Sequence, residues 1–306
     1  MSRRKKGQPV HGWLILDKPL GLTSTQALSR VKRLFDAQKA GHAGTLDPLA
    51  TGILPIAFGE ATKTVSFAVD GEKSYAFTVR WGAETSTDDS EGEATRTSAA
   101  RPSQADIAAL IPRFIGEVMQ APPCFSAVKI DGERAYDLAR DGETLVLEPR
   151  PVLIGDLRLV DLPDADTAVF EADCGKGTYV RAIARDMGRA LGCFGHVVAL
   201  RRTRVGPFAE GEAWHLDELV REAEEGRLFD PDGPLRPVEM PLRDLPELIV
   251  TPSDAGKLAR GQSVLIRGRD APILTGPMYA TCHGRIIALG EVEKGALHPV
   301  RVFNLG

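Results

Sequence analysis

The stretch GHAGTLDPLATG, residues 41–52, carries one acid, Asp47, among three glycines and a proline, with Leu46 and Leu49 on either side. A carboxylate in an apolar frame is costly unless it is paired or hydrogen-bonded. Two readings fit. Asp47 caps a short helix at 48–53, or it reacts, as a nucleophile or base kept ionised by a nearby cation. Arg181 is the candidate cation. Gly41, His42, Ala43 and Gly44 form a G-x-x-G, the pattern with which some RNA-binding loops clamp a nucleic-acid backbone. Tyr75, near the start of an alternating segment, is either core or a platform on which an unpaired base stacks. His42 reads equally as a hydrogen-bonded structural histidine.

These groups need elements to position them. GWLILDKP (12–19) reads as a buried strand stopped by proline, and Ser24 as the cap of a helix with Leu28, Val31 and Leu34 at helical spacing. KSYAFTVRWG (73–82) alternates strictly, with Tyr75, Phe77, Val79 and Trp81 on one face. The acidic run 84–100 reads as a loop, and Ser103 with Asp106 as the opening of a helix to about Ile115. CFSAVKIDG (124–132) reads as a strand and RAYDLARDG (134–142) as a short helix. Residues 151–161 and 167–174 are expected strands, 178–191 a helix, 196–206 a strand and 214–225 a charged helix. The helix at 178–191 places Arg181, Arg185 and Arg189 in one row at i, i+4, i+8. Five prolines within 231–246 read as a linker. Beyond it, Ser253 caps a short helix, and short strands between Gly turns suggest a small barrel. The expected architecture is α+β: a mixed, mainly antiparallel sheet with flanking helices over residues 1–246, then a small all-β module over 247–306.

Composition bounds the function. The chain has 306 residues, 43% hydrophobic and 26% charged, as in an ordinary globular protein with a sizeable core. No apolar run approaches a membrane span, and WLIL, behind the basic start SRRKK, is too short for a signal-peptide core. SRRKK reads as a solvated tail or as an arm that grazes RNA. Cys124, Cys174, Cys193 and Cys282 form no CxxC pair, which points to a reducing cytoplasm, and Cys193 with His196 falls short of a four-ligand zinc site. No Walker A and no G-x-G-x-x-G supports a nucleotide cofactor. Net charge is −4, yet seven Lys/Arg against one acid lie between Lys176 and Arg204. That distribution suits a discriminating reader of a polyanion, or a solvated helix face.

LDKPLGLTS (16–24), GHAGTLDPLATGILPIAFGEATK (41–63), KSYAF (73–77), CGKGTYVRAIARDMG (174–188) and HVVALRRTRVGPF (196–208) stand together in order. The chain closely resembles the bacterial TruB family of tRNA pseudouridine synthases from about residue 10 to its end, including a PUA-like RNA-binding tail. It departs from the family at Ala43, where threonine is frequent, and at Phe125, where tyrosine is frequent. The resemblance implies isomerisation of uridine 55 in the T-loop of tRNA, without cofactor or metal, by a monomer, and a tRNA-folding chaperone role alongside it. It implies Asp47 as the essential aspartate, Tyr75 as the base-stacking ring and Arg181 as the partner of the aspartate. His42 holds the loop open around the flipped nucleotide. Tyr179 and Leu200 contact the substrate, Leu200 as pocket wall. Lys18, Pro19 and Gly44 support the catalytic loop, and Asp89 lies near His42. Two rivals are an RNA-binding module without chemistry, and a base-releasing glycosidase with paired carboxylates about 5.5 Å apart.

Overall fold

The computed structural model describes residues 7–126, 129–130, 133–134, 147–266 and 275–306. The basic start SRRKK and nearly all of the expected helix at 134–142 lie outside them. The first half of the chain runs β1 (Gly12–Lys18), α1 (Ser24–Leu34), β2 (Ala40–His42), β3 (Ala50–Phe58), α2 (Val65–Asp70), β4 (Lys73–Trp81), β5 (Ala83–Thr85), β6 (Ala94–Thr97), α3 (Gln104–Leu110) and β7 (Gly116–Gln120). A ribbon of β8 (Lys129–Ile130) and β9 (Glu133–Arg134) precedes β10 (Arg150–Asp161), β11 (Thr167–Cys174), α4 (Val180–Ala190), β12 (Gly195–Val205), β13 (Phe208–Ala209) and α5 (Leu216–Glu224). The chain ends with β14 (Leu235–Arg236), β15 (Glu247–Ile249), α6 (Pro252–Ala259), β16 (Val264–Leu265), β17 (Gly276–Cys282), β18 (Arg285–Glu293) and β19 (Ala296–Val302).

The main sheet has the order β14-β1-β3-β12-β4-β11-β10-β7, with β2 added to β3 and β13 to β12. Only β12 on β3 is parallel. The expected mixed, mainly antiparallel sheet is present. Its centre is β12, which places Leu200 beside Ala50 on one side and Phe77 on the other, and Arg202 between Gly52 and Tyr75. Strict alternation makes β4 one-sided: Phe77, Val79 and Trp81 are buried with Ile183, Ala184 and Met187 of α4. On the other wing β1 is buried along its whole length, with Leu14 and Leu16 against Ala27, Val31 and Phe35 of α1 and its C-cap.

Four local expectations change. Thr23, not Ser24, caps α1, in a capping box with Gln26. Thr251, not Ser253, caps α6. The acidic run is not all loop: β5 and β6 form a ribbon across it, and Glu84, Asp88 and Asp89 are buried where cations of α4 meet them. The proline-rich stretch is not a free linker. Its β14 pairs with β1, Met240 and Leu242 are buried, and Trp13 Nε1 donates to the Val238 carbonyl at 3.2 Å. Prolines suit it because β14 occupies the sheet edge, where a missing N–H leaves no ladder bond unmade.

The last strands make a five-stranded sheet, β15-β17-β18-β19-β16. Among the described residues it is open, a half-barrel where a closed barrel was expected. It has its own core around Leu258, Met278, Ala280, Ala288 and Leu297. A second set of its residues, Ile286 and Leu289, joins Phe303 in the cluster built on Trp13 and Phe208 of the main body. No helix among the described residues is long and apolar enough to cross a membrane.

Candidate active site

Asp47 sits in the turn between β2 and β3. No helix follows it: Ala50 N donates to the Asp47 carbonyl and β3 begins there. The helix-cap reading is therefore excluded. The turn is held from both sides. Ser24 Oγ donates to the Leu46 carbonyl at 2.9 Å and accepts from Leu46 N at 2.7 Å. Gly21 N donates to the Pro48 carbonyl at 2.9 Å. Ser24 thus serves the Asp47 turn rather than its own helix, and it is buried.

Arg181, from the first turn of α4, meets Asp47 Oδ2 at 2.9 Å. Its side chain is only 6% exposed, whereas that of Asp47 is 38% exposed. The guanidinium is fully directed. Nη1 donates to the Thr87 carbonyl at 2.8 Å, Nη2 to the Phe125 carbonyl at 2.8 Å, and Asp89 Oδ2 lies 3.4 Å away. Asp89 is 3% exposed, and Thr87 Oγ1 and the Glu91 amide also bond its carboxylate. Asp47 and Asp89 thus meet different nitrogens of one guanidinium, Nη2 and Nη1. The Phe125 departure leaves this arrangement intact, because position 125 contributes its backbone. Ala43 is likewise neutral: it is fully buried and its N–H donates to the Pro55 carbonyl.

Arg202 is the residue that sequence reasoning left inside the basic run. It is buried at the sheet centre, donating from Nε to the Ile53 carbonyl at 2.8 Å and from Nη2 to the Gly44 carbonyl at 3.0 Å. Tyr75 is its register partner on β4, and guanidinium and phenol act on each other electrostatically. One side chain therefore links the Asp47 turn to the ring expected to stack on the base. Gly44 has φ +91, and a Cβ there would lie 3.3 Å from Arg202 Nη1. Gly52 has φ +95, and a Cβ there would lie 2.2 Å from the Arg202 carbonyl. Both positions require glycine. Burial lowers the Arg202 pKa and raises that of the Tyr75 phenol, the latter against the pull of Arg202.

Lys18 closes the floor. It is fully buried, donates to the carbonyls of Pro19 at 3.0 Å and Leu22 at 2.7 Å, and shapes the turn whose Gly21 holds Pro48. Burial pushes its ammonium down to about 8, against the attraction of Asp47 and with the repulsion of Arg202. Tyr179 is the cap residue of α4. The Gln120 side chain pairs with its backbone both ways, accepting from Tyr179 N at 2.8 Å and donating to Tyr179 O at 3.2 Å. Leu200 is half-buried on β12, packed with both Phe77 and Ala50. His42 ends β2, in register with Ile56. The two residues weighed for zinc are used otherwise: His196 Nδ1 meets the Ala83 carbonyl at 2.8 Å, and Cys193 Sγ faces the Gly188 carbonyl.

The row of arginines on α4 is internal. Arg181 pairs with Asp89, Arg185 with Asp88 at 2.9 Å, and Arg189 with Glu84 at 2.6 Å. Arg181 and Arg185 are buried, so two of the three are closed to phosphate, contrary to the reading of the row as a polyanion surface. Missed by sequence reasoning were Arg202, Thr87, Asp88 and Gln120. The only signal was the matching of three acids at 84, 88 and 89 with three arginines at i, i+4, i+8.

Comparison with known proteins places the chain in a family. Residues 32–180 match the model of the TruB family pseudouridylate synthase N-terminal domain, and residues 181–243 that of the tRNA pseudouridylate synthase B C-terminal domain. A protein named tRNA pseudouridine synthase B from Bradyrhizobium diazoefficiens is 60% identical over 99% of this chain and 88% of its own length. Its namesake from Chelativorans sp. is 54% identical over the whole of both chains. Among solved structures, an H/ACA RNP bound to a substrate RNA containing 2'-deoxyuridine superposes with TM-score 0.74 at 22% identity, over 99% of this chain and 92% of that one. A Cbf5-Nop10-Gar1 complex gives TM-score 0.71 at 24% identity, over 96% and 84%. These two share the fold. The chain belongs to the TruB family of tRNA pseudouridine synthases, which isomerise uridine to pseudouridine in tRNA.

Proposed function

We propose that the protein acts on uridine 55 of the tRNA T-loop and that Asp47 is the reacting carboxylate. One observation carries the reading: Asp47 is a half-exposed carboxylate on a glycine-rich turn, paired at 2.9 Å with a guanidinium that is itself buried. A cation so placed orients the carboxylate while leaving one face open to substrate. The target base lies inside a folded loop and must flip out, at a cost of a few kcal/mol. Stacking on Tyr75 returns about 1–3 kcal/mol. His42 then holds the emptied loop, Leu200 walls the pocket and Tyr179 borders it. The N1–C1′ bond breaks, the base turns, a C5–C1′ bond forms, and the C5 proton leaves as N1 takes one up, so mass is conserved. Asp47 enters by attack at C1′, by addition at C6, or by taking the 2′ proton to give a glycal. Each route needs it ionised.

Burial of Asp89 against Arg181 weighs against the glycosidase, which needs two carboxylates that reach the sugar. A reactive, half-exposed carboxylate weighs against a pure binding module, where it would repel phosphate. Residues 247–306 are read as a PUA-like module that grips a distant part of the tRNA through phosphates. The enzyme works as a cytoplasmic monomer, and the same grip gives it a tRNA-folding role.

The test is an unmodified tRNA transcript, digested to nucleosides after incubation. Pseudouridine, of unchanged mass and altered retention, is expected at position 55. Asp47→Asn is expected to abolish it while tRNA affinity stays within about tenfold, or 1.4 kcal/mol. Substantial turnover by a verified Asn protein, or conversion at another position, overturns the reading.

A further inference from the structure

Of the ion pairs between α4 and the segment 84–89, the buried Asp88–Arg185 pair has no role in the chemistry described so far. We propose that Asp88 and Arg185 are positioning residues for the reaction: their pair fixes the turn whose Thr87 carbonyl aims Arg181 at Asp47. The proposal rests on the reading of Asp47 and Arg181 given above.

The geometry supports this in three steps. First, the turn lies off the sheet and needs an anchor. Asp88 has φ 61, the left-handed region that aspartate tolerates better than most residues. Its backbone carbonyl accepts from Val197 N at 3.1 Å, which ties it to β12. Second, its carboxylate supplies the tie to α4. Asp88 Oδ2 takes Arg185 Nη1 at 2.9 Å with both side chains under one-tenth exposed. Arg185 is then committed on every side: Nε to Asp186 at 2.8 Å, Nη2 to the Ala121 carbonyl at 2.7 Å. Third, this rung is one helical turn from the reactive one. Arg181 sits four residues earlier on the same face, and the Thr87 carbonyl that it bonds at 2.8 Å is the residue next to Asp88. The Arg189–Glu84 pair, with bonds of 2.6 and 2.8 Å, closes the other end of the ladder. A displacement of Asp88 therefore moves Thr87 O, and with it the guanidinium against Asp47. Near-ångström misplacement of a reacting group costs rate rather than affinity.

The rung is also sensitive to acid. Burial pushes the Asp88 carboxyl up to about 6, with Arg185 and Arg181 pulling it down and Glu84 pushing it up. Asp186 faces the same guanidinium from α4. Protonation of Asp88 weakens its bond to Arg185, so catalysis is expected to decline as pH falls through that range.

The experiment measures kcat, KM and tRNA affinity of the full chain on a tRNA transcript from pH 5 to 8. Asp88→Asn is expected to lower kcat at least tenfold at pH 7.5, with tRNA affinity within twofold, and to remove the acid limb near pH 6. Arg185→Lys keeps a cation but loses the fork. Because Arg185 holds the Asp88 carboxyl down, its acid limb is expected to move to higher pH, and this variant serves where Asp88→Asn does not fold. Asp47→Asn is run in parallel. If Asp47→Asn is inactive while folded Asp88→Asn or Arg185→Lys keeps both kcat and the wild-type limb, the positioning role is wrong and the catalytic reading stands. If Asp47→Asn stays active, the catalytic reading itself fails.

Discussion

Arg202→Lys tests whether one buried guanidinium couples the Asp47 turn to Tyr75. The guanidinium makes two bonds, to the Ile53 carbonyl at 2.8 Å and to the Gly44 carbonyl at 3.0 Å, and acts electrostatically on the Tyr75 phenol. Among the described residues no carboxylate pairs with it. A lysine brings one nitrogen, which cannot stand where both Nε and Nη2 stand, so at least one of the two bonds is lost. A bond to a charged group is worth about 1.5–3 kcal/mol, which sets the expected loss. An ammonium sheds its proton more readily than a guanidinium, which reduces the burial cost but does not recover the orphaned acceptor. At about 2–4 °C per kcal/mol the lower bound corresponds to a fall in Tm of at least about 3 °C. With Gly44 and Tyr75 both unsupported, kcat is expected to drop tenfold or more, about 1.4 kcal/mol in barrier. Differential scanning fluorimetry and steady-state turnover on a tRNA transcript read the two effects. A Tm within about 2 °C of wild type, together with undiminished kcat, refutes the coupling.

Gly52→Ala is expected to be more damaging than Gly44→Ala. Both carry a left-handed strain of about 1–2 kcal/mol, but the Gly52 Cβ would lie 2.2 Å from a backbone carbonyl and that of Gly44 3.3 Å from the end of a side chain; equal melting temperatures contradict this. The Asp88 carboxyl is raised by burial to about 6 from an ordinary 3.8, so the stability it contributes is fully present below pH 3.8 and lost as pH rises through 6. The Tm of Asp88→Asn relative to wild type is therefore expected to rise between pH 4 and pH 8, and a flat difference refutes the burial argument. Truncation after Leu245 uncovers the Trp13 cluster by removing Ile286, Leu289 and Phe303, at about 1.5–3 kcal/mol per side chain. The shortened chain is expected to melt lower or to aggregate; an unchanged melt shows that the C-terminal sheet is merely appended.

Legibility of the sequence followed the range of the interactions. Alternation in β4 is a local signal, and it alone puts Tyr75, Phe77, Val79 and Trp81 on one face, the face that packs into the core. The helical spacing of α1 and the row on α4 are equally local. Capping residues were off by one or two positions, since Thr23 and Ser24, like Thr251 and Ser253, carry the same hydroxyl, and only the turn geometry selects between them. Ser24 shows why. Its hydroxyl is committed to Leu46, 22 residues away, a partner that no local pattern names. The proline-rich stretch misled for a related reason: prolines report the absence of ladder bonds, which a free linker and a sheet-edge strand share.

The arginine row carries that argument to its end. Three arginines at i, i+4, i+8 look the same whether they face phosphate or carboxylate, because helix geometry fixes only that they share a face. What decides is the partner, and the Asp88 rung spans 97 residues of chain. The acids at 84, 88 and 89 read as part of a loop because no local pattern names their partners. The two misreadings are one: each half looks soluble in isolation, and each is buried because the other neutralises it. A buried ion pair seldom adds much stability over an apolar pair of the same volume, and burial raises the Asp88 carboxyl here rather than lowering it. Stability therefore gives little reason for so polar a core. Placement gives one: a directional fork-to-carboxylate contact fixes orientation as an apolar contact cannot, and the end of this ladder is the guanidinium against Asp47.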